Sequence, residues 1–163
     1  MEEEEANPLT ARVYEAHASV NLLDYANLTA GRQAFNFGSG MIISDNQFTS
    51  LPRNTWDGLR FDITAIEMAD ITLGYASNNT GWSNLEMGAK STKLLLNANK
   101  SDGDWSANFL YVSSVSETAD SEGAWTEDIG ASNSMGIDLG YAMMGGDLML
   151  DGTYNTSTIN LSE

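Results

Sequence analysis

The chain has 163 residues, no cysteine, and 7 Lys and Arg against 23 Asp and Glu, for a net charge of −16. That length fits one domain or one piece of a larger one, and the missing cysteines exclude disulfides and thiolate metal sites. So acidic a balance disfavours nucleic-acid binding and attachment to anionic lipid through a basic patch.

Residues 1–10 open with Met1 and four glutamates, without the basic-then-apolar order of a signal peptide, and are expected to form a disordered acidic leader. No apolar run nears the roughly 18 residues of a membrane helix; Leu94-Leu95-Leu96 is among the longest. From 11 to 163 the chain alternates apolar and polar residues and is rich in Gly, Asn, Ser, Thr and Asp. This predicts an all-β, antiparallel up-and-down meander of about eight strands, closing as a transmembrane β-barrel or forming part of a larger one.

Residues 12–22 set Tyr14, Ala16, Ala18, Val20 and Leu22 against Glu15, His17, Ser19 and Asn21. A second strand is expected near 28–36, with unclear phase. Over 57–65, Leu59, Phe61 and Ile63 oppose Arg60, Asp62 and Thr64; next, Ile71, Leu73 and Tyr75 oppose Asp70, Thr72 and Gly74. A fifth strand, again of unclear phase, is expected over 85–99. Trp105, Ala107, Phe109 and Tyr111 then oppose Ser106 and Asn108, and Met135, Ile137, Leu139, Tyr141 and Met143 oppose Gly136, Asp138 and Gly140. The last strand sets Leu148, Leu150 and Tyr154 against Asp151 and Thr153.

Short turns are expected near 23–26, 66–69, 100–103 and 144–146, and longer connections at 37–56, 78–84 and 115–131. Long connections all at one end match outer-membrane barrels, which have short periplasmic turns and long external loops. With that orientation, Tyr14, Phe35, Trp56, Tyr75, Trp82 and Tyr154 fall near the outer strand ends and Tyr25, Trp105 and Tyr141 near the inner ends, as two aromatic girdles. The first strand then starts outside and the last ends outside, so the chain is expected to be a fragment of a larger barrel.

Within Val13–Asp62, Glu15-Ala16, Gly31-Arg32-Gln33, Gly38 and Gly40, Arg53, and Asp57-Gly58-Leu59-Arg60 occur in that order. This third of the chain resembles the alginate-export-like family of outer-membrane porins. The resemblance implies a large monomeric barrel with a polar, charged lumen that passes anionic or neutral solutes. The acidic balance departs from the many arginines expected of a channel for an anionic polysaccharide, so the expectation is a porin-like wall of open solute identity.

The candidate pore-lining charges are Glu15, His17, Arg32, Arg53, Asp57, Arg60 and Asp62. Arginine facing lipid at mid-membrane costs about 2–4 kcal/mol, so the three arginines are expected to face the lumen, either pairing with carboxylates across strands or contacting solute. His17, the single histidine, sits between Glu15 and Ser19, as a metal ligand, a pH sensor or a plain lumen residue. In the acidic stretch 117–128, Asp120, Glu122, Glu127 and Asp128, with Glu117, are weak Ca²⁺ candidates whose spacing does not match an EF-hand. No nucleophile elbow, phosphate-binding loop or HExxH occurs, so neither catalysis nor a cofactor is expected.

Two readings follow. The first is a channel wall in the bacterial outer membrane that allows passive diffusion of small polar solutes or ions, with the 37–56 loop narrowing the pore. Its partners are outer-membrane lipid and lipopolysaccharide, the solute, and missing barrel strands or other subunits, with no nucleic acid. The second is a soluble or surface-assembled β-sheet protein with acidic, cation-binding loops.

Overall fold

The structure, a computed structural model, describes residues 13–44, 54–64, 68–79, 89–118, 130–143 and 146–159. They form eight strands: β1 (Ala16–Leu23), β2 (Ala26–Gln33), β3 (Trp56–Ile63), β4 (Asp70–Asn79), β5 (Ala89–Asp102), β6 (Trp105–Thr118), β7 (Gly130–Met143) and β8 (Gly146–Ile159). Each strand pairs antiparallel with the next, in one sheet ordered β1 to β8. The described residues contain no helix. β1 and β8 each have a single neighbour, so the sheet is not closed.

The expected leader over 1–10 lies outside the described residues. Two boundaries differ from the sequence pattern in ways that matter. β2 ends at Gln33, not near 36, which leaves Phe35 in a connection. β5 to β8 each run 14 residues, beyond the roughly 9–11 needed to cross a bilayer. The turn between β5 and β6 is the pair 103–104, where Gly103 takes a φ of 59° that other residues adopt only under strain. Neighbouring short turns are tied together: the Thr64 N–H donates to the Tyr25 carbonyl at 3.0 Å, and the Ala142 N–H to the Asp104 carbonyl at 2.8 Å.

Residues opposed in register share a face of the sheet, because side chains alternate along each strand. One face is apolar. Its rows include Leu28, Phe61, Leu73, Leu96, Tyr111, Met135 and Tyr154, then Ala26, Ile63, Ile71, Ala98, Phe109, Ile137 and Gly152. Much of it is exposed, including Leu94, Ile137, Leu148 and Leu150. At the short-turn end the stretch reaches further on β6, β7 and β8, through the row of Ala107, Leu139 and Leu150 and that of Trp105, Tyr141 and Leu148.

The opposite face is polar, and the described core sits on it. Residues 34–44 of the β2–β3 connection fold back across this face as a strap. Phe35, Phe37 and Ile43 from the strap pack with Trp56, Ala76, Leu95, Leu110 and Val112 from the strands. Two glycines keep the seat low. A Cβ on Gly74 would stand 3.3 Å from the Phe35 ring, and one on Gly136 would stand 2.8 Å from Ile42 Cδ1. Phe35 and Trp56 are therefore core residues and not members of an aromatic girdle, as their place near strand ends had suggested. The strap buries them on the polar side. Tyr75 and Tyr154 remain exposed on the apolar face at the long-connection end. Trp105 and Tyr141 pack together at the short-turn end, with ring centroids 4.4 Å apart. Trp82 lies outside the described residues.

Candidate functional site on the polar face

Three chains of side-chain hydrogen bonds cross the strands of the polar face. Ser19 and Thr29 join β1 to β2 through their hydroxyls at 2.8 Å. Asp62 accepts from Arg60 Nε at 2.9 Å and from the Thr72 hydroxyl at 2.6 Å, joining β3 to β4. Asn97 donates to Asn108, and Asn108 Nδ2 donates to Asp138 Oδ2 at 3.0 Å, joining β5, β6 and β7. Asn97 and Asn108 are buried, where an amide without a partner would be costly.

The third chain also latches the strap. The Ser39 N–H donates to Asp138 Oδ2 at 3.1 Å and the Ser39 hydroxyl to Asp138 Oδ1 at 3.2 Å. This approach requires glycine at position 38. Its φ is 56°, and a Cβ there would lie 1.8 Å from Asp138 Oδ2 and 2.6 Å from Asn108 Nδ2. The strap is closed further by the Gly40 N–H bonding the Phe37 carbonyl at 3.1 Å. Arg60 lies over the Phe37 ring, 5.6 Å from its centroid, so the strap and the Arg60–Asp62 pair support one another. Near the long-connection end, Lys93 donates to the Ser114 hydroxyl at 2.9 Å and stands 5.2 Å from the Trp56 ring centroid.

Beside the strap an open cleft of ≈ 200 Å³ is lined by Glu15, His17, Thr29, Gln33, Ala34, Arg60 and Asp62. Four of the residues singled out from the sequence thus meet at one place: Glu15, His17, Arg60 and Asp62. Arg32 and Asp57 do not join them. They oppose each other in the row that contains Ser77 and Thr92, on the apolar face at its long-connection edge. This corrects the expectation that Arg32 and Asp57 face the lumen side; each is one position out of phase with the polar face. There the two form a bidentate pair, Nε to Oδ1 at 2.8 Å and Nη2 to Oδ2 at 2.7 Å. The burial cost invoked against such a placement is avoided, because the side chains stay 42% and 56% exposed at the edge. Arg53, Asp120, Glu122, Glu127 and Asp128 lie outside the described residues.

A pair so exposed contributes little to stability. A double-mutant cycle of Arg32→Ala and Asp57→Ala is expected to give a coupling below about 1 kcal/mol, shrinking as salt is raised. Denaturant titration of the four proteins measures it.

The motif segments around residues 31–33 and 57–60 turn out to be adjacent strands in register, with Gly31 opposite Gly58 and Arg32 opposite Asp57. The sequence pattern missed Asp138, Asn108 and Ser39 as a unit. Asp138 was visible as a lone acid among apolar residues on β7, but its partner on the strap is 99 residues away. No family model, curated protein or solved structure matches the chain.

Proposed function

We propose that the chain is part of the wall of a porin-like channel in a bacterial outer membrane, through which small polar solutes or ions diffuse passively. In this reading the strands cross the bilayer, the apolar face meets lipid, and the polar face lines a water-filled lumen. The strap narrows that lumen, and further strands or subunits complete it along the free edges of β1 and β8.

The observation that carries the reading is the inverted placement of cover. A soluble sheet shields its apolar face and leaves its polar face in water. Here the chain's own strap packs on the polar face, while the apolar face stays open among the described residues, with Ile137 52% and Leu150 67% exposed. Exposed apolar surface this continuous marks an interaction with lipid or with protein. The tyrosines and Trp105 at the two edges of the stretch suit the headgroup levels. The resemblance to alginate-export-like porins points the same way, with the solute left open.

The test is partitioning of the purified chain with and without detergent, followed by planar-bilayer recording. Dependence on detergent together with stable open currents is the expected result. A monodisperse, detergent-free protein without currents would overturn the channel and favour a sheet that buries its apolar face against another copy.

A further inference from the structure

We propose that the cleft between β1, β2 and β3 is a binding subsite for a small neutral polyol, no larger than about one sugar ring. The channel reading supplies the route by which such a solute arrives; binding itself does not depend on it.

Gln33 is the first reason. It lines the cleft at 4% exposure, and its Nε2 has no hydrogen-bond partner. A buried donor left unpaired costs roughly 1–3 kcal/mol, so this one, on the cleft wall, calls for an acceptor atom. The second reason is the opposite lining. Glu15 and Asp62 are carboxylates, which only accept, and Asp62 keeps acceptor capacity beyond its bonds to Arg60 and Thr72. His17 and Thr29 can each donate or accept. A hydroxyl donates and accepts at one atom, so adjacent hydroxyls satisfy both kinds of wall at once.

Charge and size narrow the class. The cleft's one guanidinium is already paired with one of its two carboxylates, so an anion meets a net negative lining. A compact cation leaves the Gln33 donor unused. Among the described residues no cluster of three or more His, Asp or Glu is arranged to hold a metal ion. The ≈ 200 Å³ volume is below the roughly 300–1,000 Å³ of pockets for drug-sized ligands. No aromatic ring lines the cleft, so affinity rests on hydrogen bonds and is expected near millimolar. Weak binding suits a wall that solute must leave as readily as it enters.

The test uses the full chain in detergent and saturation-transfer NMR with three probes of one ring size: glucose, glucuronate and protonated glucosamine. Glucose is expected to bind, and glucuronate to bind about tenfold more weakly. Gln33→Leu is expected to weaken glucose by about tenfold while leaving stability equal or higher, since it removes an unpaired buried amide. Glu15→Ala, at an exposed position, is expected to weaken glucose without affecting folding. No binding of glucose, unchanged binding by Gln33→Leu, or glucosamine preferred by about tenfold would each overturn the subsite. Bilayer currents from the same preparations keep the two readings apart. Currents without glucose binding sink the subsite alone, and glucose binding without currents sinks the channel alone.

Discussion

Phe35→Ala is expected to lower the unfolding free energy by about 3–5 kcal/mol and to release the strap from the sheet. Phe35 is the largest fully buried side chain among the described residues, at 0% exposure. Its ring meets Phe37 at a centroid distance of 6.4 Å and lies over Gly74, which has no side chain with which to fill the space. The loss therefore combines transfer of an aromatic ring with a cavity that its neighbours fill poorly. Denaturant unfolding in detergent measures the first part. Limited proteolysis within 34–44 reports the second, because a released strap is cut where a docked one is protected. Single-channel conductance should rise in the same variant. A stability loss under about 1 kcal/mol with unchanged protection would show that the strap does not rest on Phe35.

Ile137→Arg is expected to cost about 2–4 kcal/mol when the protein is folded in lipid vesicles. Ile137 sits within the apolar stretch of β7, opposite Phe109 on β6 and Gly152 on β8. If that face meets hydrocarbon, a guanidinium there must be desolvated or drag water and headgroups inward. If the face meets water, the substitution is a surface change worth within about 0.5 kcal/mol. Thr153→Arg is the matched control. It stands on the polar face of the neighbouring strand, opposite Gly136, and is exposed. Its cost is expected to stay within about 0.5 kcal/mol in lipid. Equal effects of the two arginines would remove the distinction between a lipid face and a lumen face.

The meander was legible because its strands alternate. Leu59, Phe61 and Ile63 against Arg60 and Asp62, or Met135 to Tyr141 against Gly136 to Gly140, leave only one way for an antiparallel strand to lie. The same rule, pressed further, would have placed Asp57 correctly, since it shares the parity of Leu59. It was grouped with Arg60 by nearness in sequence, and nearness says nothing about which face a strand residue takes. β5 was harder. Leu94, Leu95 and Leu96 are apolar on both faces because Leu95 lies beneath the strap while its neighbours belong to the apolar face. A residue that packs under a loop carries no periodic mark. Phe35 and Trp56 fall to the core and not to a girdle for the related reason that an aromatic near a strand end suits a headgroup belt and a core equally well. Glu15, His17, Arg60 and Asp62 were found because their strands put them on the polar side, whereas Gln33 and Thr29, on the strand of unclear phase, were not.

The strap also fixes an order of assembly. The hairpins from β1 to β8 join neighbours in sequence, and such local pairings close quickly. The strap's seat is built from β4, β5, β6 and β7, all of which follow it in the chain, and its latch waits for Asp138. It cannot dock until most of the sheet exists, and its closure entropy is that of a long loop. The sheet is thus formed first and covered afterwards, which makes the docking of residues 34–44 a separable final event in folding.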